Sequence, residues 1–369
     1  MATDENPINE PFSRPTHKNR WAKIIRISFL VVILGLISAG AIGYYYYDFI
    51  FGPKLKPIAE DIVLEIPTGS DLDKVANLLI TAGVLERKSD FLWVAKMRKY
   101  EGKAGRYAIP QNTRSYYELV GILRNGKQLE VKVTFNNLRL KEQLAGQISR
   151  LLELDSLTLA TLMSSAEVLG KYGFSEENAM AMYIPNTYNF YWNTDAQAFI
   201  DRMHDEYEKF WAADNRKAKA DSMGMTPIEV YILASIVDAE TTYGPEKARV
   251  AGVYLNRLNT EGWKLEADPT VVFANGDFSV RRVTNDLLAK DSPYNTYMYP
   301  GLPPGPIRMA SQSAIDAVLN AEKHDYWFFC AKPPAEGEPA QHAFAKTAAQ
   351  HGANARRYRA WLNSQRIYH

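Results

Sequence analysis

The feature that most restricts this chain is an uncharged stretch at residues 27–47, close to the start of the sequence. At a helical rise of about 1.5 Å per residue, the stretch is long enough to cross the hydrocarbon core of a bilayer. Four basic residues lie between positions 18 and 26, and four consecutive tyrosines occupy positions 44–47. Basic residues on the cytoplasmic side and aromatic rings at the interface are typical of membrane-spanning helices. We expect a transmembrane helix over residues 24–50, with a cytoplasmic N-terminus.

The sequence before this stretch, residues 1–23, is polar and has no apolar periodicity, so we expect a disordered tail there. A cleaved signal peptide is the competing interpretation, because Ala39-Gly40-Ala41 fits the small-residue cleavage pattern. The apolar run continues well past that triplet, which favours an uncleaved anchor. In both interpretations the rest of the chain is exported.

Composition limits the classes of function. A length of 369 residues allows two or three domains. The 43 Lys and Arg residues are balanced by 42 Asp and Glu residues, which gives no reason to expect a nucleic-acid partner. The single cysteine, Cys330, lies in an apolar run and is assigned to packing. Phosphate-binding loops and CxxC or HExxH spacings are absent from the sequence, so we expect no metal and no cofactor.

The sequence predicts two α+β regions after the membrane segment. The first, over residues 60–130, has the order strand, helix, helix, strand, and it resembles a LysM-like carbohydrate-binding fold. No residue in it specifies a ligand, and a spacer or oligomerisation domain is the alternative. Its predicted elements are strands at 62–67 and 104–109 and helices at 72–79, 92–97 and 115–123.

The second region, residues 131–369, is predicted to be the larger catalytic domain, mixed in structure and rich in helices and loops. Residues 263–299 hold only short apolar runs broken by turn-forming residues, and 301–306 is too rich in Gly and Pro to be regular. Such loops often surround a functional site. The predicted elements are strands at 131–135 and 326–331, helices at 138–151, 158–168, 195–222, 227–240, 245–258 and 311–322, and a terminal helix after His351.

Glu240 is the leading candidate for chemistry. The sequence Thr226-Pro227-Ile228-Glu229 predicts a helix start with a capping residue and proline at the first position. Counting in fours from Ile228 leads through two further isoleucines to Glu240, which therefore falls on the stripe that faces the core. Burial raises the pKa of a carboxyl group and keeps it protonated as a proton donor. The alternative is a solvated carboxylate beyond the end of the stripe.

Further candidates come from the polar residues after this helix. Asn256 and Arg257 are predicted to donate hydrogen bonds to substrate, or alternatively to hold the next loop. In Asp268-Pro269-Thr270, Asp268 is a candidate second carboxylate and Thr270 a candidate substrate contact, although such a triplet is also typical of a turn or helix cap. His342 is predicted to orient substrate, with a core histidine as the alternative. A further set of candidates combines aromatic rings, an amide and a hydroxyl: Tyr294, Asn295, Thr296 and Tyr297. These groups suit the lining of a sugar-binding cleft, and a packed loop is the alternative.

Five stretches of the second region combine apolar runs, polar residues and turn formers: 233–241, 250–258, 268–270, 292–297 and 301–307. In this order and at these spacings they resemble the YceG-like family of endolytic murein transglycosylases. By this resemblance the family's catalytic glutamate is Glu240, and an earlier family glutamate is replaced by Asp238. The family's Phe-Pro-Asp-Thr-Tyr motif corresponds to Ile184-Pro185-Asn186-Thr187-Tyr188, in which Tyr188 is a candidate binding residue and Asn186 replaces the acidic residue. The family's C-terminal motif, a histidine and an aromatic residue followed by a second histidine, corresponds to His342, Phe344 and His351.

The resemblance implies an enzyme of the inner membrane, single-pass, with its catalytic domain in the periplasm. It implies cleavage of the MurNAc–GlcNAc bond within peptidoglycan strands, with Glu240 as acid and then as base on the 6-hydroxyl of the sugar, to leave 1,6-anhydro ends. Termination of nascent strands and a partnership with peptidoglycan synthases are also implied. One alternative is a hydrolytic muramidase that uses Asp268 to hold water. The other is a non-catalytic, wall-binding scaffold.

Overall fold

The computed structural model describes residues 18–280, 283–334 and 339–365. Residues 1–17 of the expected disordered tail lie outside the described part of the chain. The protein divides into two compact units, one ending at Gln128 and the other beginning at Leu129. The predicted α+β class is confirmed, because helices predominate in both units; among the described residues the first unit has one two-stranded sheet and the second has two.

The first unit begins with α1 (Lys18–Phe51). The part of this helix from Arg20 to Phe51 has a mean hydropathy of 2.3, and it buries none of its most apolar window against the rest of the protein. The helix runs without a break through the Ala39-Gly40-Ala41 triplet. By length and composition, α1 is able to cross a membrane.

The rest of the first unit follows the predicted order of strand, helix, helix, strand. The two strands pair antiparallel, with Leu64 opposite Tyr107, and their inward side chains pack with the helices on one apolar core. Asp71 and Ser115 cap two of the helices through their side chains, as the sequence favours. The elements are β1 (Ile62–Ile66), α2 (Leu72–Thr81), α3 (Lys88–Met97), β2 (Gly105–Ile109) and α4 (Tyr116–Asn125).

The second unit is built from helices around a larger core, with two antiparallel strand pairs, β3 with β4 and β5 with β6. Two short 3₁₀ turns, Ala179–Met182 and Ala213–Asn215, connect neighbouring elements. In chain order the elements are β3 (Glu130–Phe135), α5 (Lys141–Ile148), α6 (Ser156–Leu162), α7 (Ala166–Gly170), β4 (Asn186–Tyr191), α8 (Ala196–Ala212), α9 (Arg216–Ser222), α10 (Pro227–Glu240), α11 (Gly244–Leu258), α12 (Asp268–Asn275), α13 (Asn285–Leu288), α14 (Gln312–Leu319), β5 (Phe328–Ala331), β6 (His342–Ala345) and α15 (Ala348–Ser364).

Helix α10 is the centre of the second unit. Its start is the predicted capping box, in which Thr226 and Glu229 exchange hydrogen bonds. Residues 230–237 are all buried, and the helix packs against α11, α12 and α14. The buried Ser235 hydroxyl accepts a hydrogen bond from the backbone N–H of Ile307 at 3.1 Å, which fixes the loop that follows the Gly/Pro-rich segment. A helix this fully buried gives its last residue, Glu240, a rigid position.

Three sequence predictions of regular structure were wrong in detail. The helix predicted at 195–222 is interrupted, because Asp214 and Asn215 adopt left-handed backbone angles. The helix predicted at 158–168 is two helices, and Ser165 caps the second one. The segment at 263–299, predicted to be irregular, contains α12 and α13; α12 starts with proline near its N-terminus and stops at Gly276, whose φ is 77°.

Candidate active site

A pocket of about 560 Å³ lies at the C-terminal end of α10. Its lining includes the apolar residues Val272, Phe273, Phe278 and Ile307. It also includes the charged residues Glu240, Asp268, Arg139 and Arg308. Two of the predicted site residues, Glu240 and Asp268, are therefore brought together in one pocket.

Glu240 is partly buried and has one hydrogen-bond partner among the described residues. The hydroxyl of the fully buried Tyr254, on α11, donates to its Oε1 at 2.7 Å. Burial raises the pKa of Glu240 from its ordinary value of 4.5 to about 7; the charge of Asp268 acts in the same direction, while the Tyr254 hydrogen bond and the charge of Arg257 lower it. The carboxyl group is thus balanced between its protonated and ionised forms near neutral pH.

Asp268 is the first residue of α12 and is exposed to solvent. Its Oδ1 accepts a hydrogen bond of 2.6 Å from the hydroxyl of Tyr297, a partly buried residue of the predicted cleft loop. Burial and this hydrogen bond raise the pKa of the Tyr297 phenol, so it remains a donor. Asp268 starts a helix, as its sequence allows, and it also faces the pocket with Glu240.

Three residues at the site had no role assigned from the sequence: Tyr254, which donates to Glu240, and Arg139 and Arg308, which line the pocket. Tyr254 lies on the apolar stripe of α11, and a phenol on such a stripe needs a buried partner, so its spacing was a usable signal. Arg139 and Arg308 lie in irregular segments far apart in the sequence. Only the folded chain brings them to one pocket, and no local pattern indicates it.

Asn256 and Arg257, predicted as substrate donors, use their side chains on the protein itself. The Asn256 amide donates to the carbonyls of His324 and Tyr326, both at 2.9 Å. The buried Arg257 guanidinium donates to the carbonyls of Trp327 and Leu265, at 2.9 and 2.5 Å. Neither lines the pocket, so the geometry favours the loop-holding alternative for both.

Most of the predicted cleft loop is likewise internal. Thr270 and Thr296 are buried and share a hydroxyl–hydroxyl contact of 2.8 Å. The buried Asn295 amide donates to the carbonyls of Leu288 and Lys290. Tyr294 packs its ring 4.8 Å from that of Phe273, a pocket residue, and does not itself line the pocket. These four residues hold α12 and its neighbouring loop in place. Tyr297, the remaining residue of the predicted cleft loop, donates a hydrogen bond to the pocket carboxylate Asp268.

The remaining motif residues lie outside the pocket lining. Tyr188 is buried in β4, and its hydroxyl donates to the carbonyl of Ile184 at 2.6 Å. Asn186, at the exposed start of β4, accepts a hydrogen bond from the next backbone N–H. The backbone N–H and the ring Nδ1 of His342 donate to the two oxygens of Glu246 at 2.8 and 2.9 Å. Tyr188 and His342 therefore have structural partners, and a substrate contact for either stays a prediction.

Asp238 points away from Glu240 and forms a buried ion pair. Its Oδ1 accepts hydrogen bonds from Lys247 Nζ at 2.5 Å and from the Ser311 hydroxyl at 2.8 Å. Ser311 caps α14, so the pair ties α10, α11 and α14 together. The short side chain of Asp238 is fully occupied in this contact.

The chain is similar to known proteins over most of its length. The model of the YceG-like family matches residues 64–357. The endolytic murein transglycosylase of Streptococcus pneumoniae is 26% identical over 343 residues, which cover 84% of this chain. The chain spans 61% of the length of that relative. The Bacillus subtilis protein of the same name is 26% identical over 331 residues, covering 84% of this chain and 89% of the relative. The crystal structure of a yceG-like protein from Listeria monocytogenes has 25% identity and a TM-score of 0.54, and the match covers 80% of this chain and 99% of that one.

Proposed function

Because the chain belongs to the YceG-like family, we propose that it is an endolytic lytic transglycosylase of peptidoglycan. It cuts the bond between MurNAc and GlcNAc inside glycan strands and leaves 1,6-anhydro-MurNAc ends. Two relatives that carry the name endolytic murein transglycosylase, at 26% identity over most of this chain, support the substrate class. The pocket at the end of α10 is the proposed place of the reaction.

The observation that carries the proposal is the state of Glu240. Cleavage of a glycosidic bond requires a proton for the leaving oxygen and an oxocarbenium-like transition state. A carboxyl group whose pKa is raised to about 7 still holds its proton in a large fraction of molecules at neutral pH. Tyr254 engages Oε1, which leaves Oε2 without a protein partner among the described residues and free to donate to the glycosidic oxygen.

The second half of the reaction uses the same carboxyl group. After Glu240 has given its proton to the leaving GlcNAc oxygen, it is an anion beside the sugar. It then removes the proton from the 6-hydroxyl of MurNAc, whose oxygen attacks C1 and closes the anhydro ring. The proton lost in the first half is regained in the second, so Glu240 returns to its starting state. The hydrogen bond from Tyr254 stabilises the anion between the two halves.

The first unit supplies the setting of the reaction. We propose that α1 anchors the enzyme in the inner membrane, with the N-terminus in the cytoplasm and the chain after α1 outside. Anchoring keeps the enzyme near newly made strands, so we propose that it terminates nascent glycans beside peptidoglycan synthases. The strand, helix, helix, strand order of residues 62–109 supports a LysM-like role in holding glycan.

A hydrolytic muramidase is the second candidate, and Asp268 favours it. Asp268 lines the same pocket as Glu240, and its charge raises the Glu240 pKa, so the two carboxyl groups interact. In a hydrolase the second carboxylate would orient water, and the product would have a reducing end in place of an anhydro end. The chemical form of the new end therefore separates the two functions.

The test is mass spectrometry of fragments that the full-length protein in detergent releases from purified peptidoglycan. Anhydro ends from wild type, and none from Glu240→Gln, are the expected result. An exposed substitution, Glu261→Gln, serves as the control for loss of one carboxylate. Reducing ends would establish the hydrolase, and equal release by wild type and Glu240→Gln would refute the role of Glu240. If wild type releases no fragments from purified peptidoglycan and none from nascent, lipid-linked strands, the scaffold function would be favoured.

A further inference from the structure

Two guanidinium groups share the pocket with Glu240. Arg139 and Arg308 both line it, and no carboxylate of the described residues lies within 4.0 Å of either one. The reaction proposed for Glu240 uses neither arginine. Two cations at one pocket without paired anions are unusual, because close like charges repel and partly buried charges are normally paired.

The contacts of the two arginines leave hydrogen-bonding capacity unused. Arg308 donates from Nη2 to the side-chain oxygen of Asn137. Its Nε–H is buried and has no partner in the described part of the chain. The Arg139 guanidinium lies over the ring of Phe278, 4.6 Å from the centroid, a contact that does not use its N–H groups. A buried, unpaired N–H costs free energy that a bound oxyanion would recover.

Nearby acids do not neutralise the two cations. Burial lowers the pKa of Arg308, the charge of Asp238 opposes that effect, and the charge of Arg139 adds to it. Asp238 is already paired with Lys247, and Asp268 accepts from Tyr297. With Glu240 protonated for catalysis, the described residues that line the pocket carry two positive groups against one negative group. A ligand with one negative group would balance it.

We propose that Arg139 and Arg308 bind a carboxylate of the stem peptide carried by the MurNAc residue at the scissile bond. The inference rests on the proposed function, because it takes the substrate to be peptidoglycan. The peptide is attached to the sugar that reacts, so its acidic groups lie close to the residue that cuts. The planar donor fork of a guanidinium suits a carboxylate. A lipid-linked diphosphate is another oxyanion, but it marks the end of a strand and the proposed cut is internal.

The test compares two matched substrates: glycan strands with free stem-peptide carboxylates and strands in which these are converted to amides. Arg308→Gln and Arg139→Gln, in the full-length protein, should raise KM by about tenfold on the first substrate, the worth of one charged hydrogen bond. The kcat should stay within about twofold, since the proton donor is intact. On the amidated strands the difference in KM between the variants and wild type should become much smaller, because a neutral amide accepts more weakly from a guanidinium than a carboxylate does. Arg308→Lys keeps the charge and should recover part of the loss, and Arg202→Gln on α8 is the surface control.

Equal impairment on both substrates would overturn the inference, because it would mean that the arginines support the fold or the sugar. A loss confined to lipid-linked strands, absent after mild acid removes the diphosphate, would assign the pair to that group instead. Binding is measured separately, by calorimetry of free and amidated MurNAc-peptide with Glu240→Gln and with its Arg308→Gln double variant. This readout needs no cleavage, so it decides the inference even if wild type releases no anhydro ends and the proposed function fails.

Discussion

Replacing Glu240 with glutamine should make the protein more stable at about pH 8 and leave its stability nearly unchanged at about pH 4.5. The pKa of Glu240 is raised from 4.5 to about 7, mainly by burial. Between these two values the folded state binds more protons than the unfolded state, so the stability of wild type falls as pH rises through this window. Glutamine has the same shape and can accept from Tyr254, but it carries no charge.

The size of the effect follows from the shift. A difference of about 2.5 pH units corresponds to about 3 kcal/mol at 1.36 kcal/mol per unit, nearly all of it present above pH 7. In a unit of this size 1 kcal/mol moves Tm by about 2–4 °C, so Glu240→Gln should gain about 6–12 °C over wild type at the higher pH.

The assay is the thermal melting of full-length wild type and variant in the same detergent, followed by tryptophan fluorescence at both pH values. Taking the difference between the two pH values removes any pH-independent effect of the substitution. The exposed Glu261→Gln variant, treated identically, controls for loss of a surface charge and should show no comparable pH-dependent gain. A Tm difference between Glu240→Gln and wild type that is the same at both pH values would refute the burial argument.

Three further substitutions test the surroundings of the site. Tyr254→Phe removes the hydrogen bond that lowers the Glu240 pKa. The alkaline limb of the pH profile for anhydro-end release should therefore move to higher pH. An alkaline limb at the same pH as in wild type would contradict the role of this contact. Asn256→Ala loses two hydrogen bonds to backbone carbonyls. It should lower the free energy of unfolding by about 2 kcal/mol in melting experiments, with little change in KM. A raised KM at unchanged Tm would instead indicate that Asn256 contacts the substrate. Asp238→Ala leaves the buried charge of Lys247 unpaired and should lower the free energy of unfolding by about 3–5 kcal/mol. A second change, Lys247→Met, should recover most of this loss in a double-mutant cycle. If it recovers none, the broken ion pair is not the cause of the lost stability.

A helix or strand was predictable wherever a periodic pattern of apolar residues coincides with a strong capping or turn signal at its end. Helix α10 has both, since its apolar run begins at a capping box, and its predicted bounds of 227–240 match the structure. The interruption after α8 had no such signal. Asp214 and Asn215 tolerate left-handed angles more readily than most residues, but the same residues also occur inside helices, and here tertiary packing decides.

The positions of the candidate site residues were predictable along one helix and not across the pocket. Periodicity leads to Glu240, and turn chemistry marks Asp268 as the start of an element. Sequence could not tell which polar side chains point outward: Asn295 and Thr296 have suitable chemistry for a sugar but are fully buried. Side chains of this kind satisfy backbone groups as readily as ligands, so their identity alone does not decide between the two uses.

The position of Glu240 at the last turn of α10 explains why its pKa lies near neutrality rather than at an extreme. Burial and the negative end of the helix dipole both disfavour the anion, and the charge of Asp268 does the same. Tyr254 and Arg257 act in the opposite direction, although Arg257 makes no contact with the pocket. In the proposed reaction Glu240 first donates a proton and then accepts one, and such a group works best when neither form is strongly favoured. Arg257 therefore contributes through its charge as well as through its hold on the loop, which predicts that Arg257→Gln raises the Glu240 pKa even where the fold is kept.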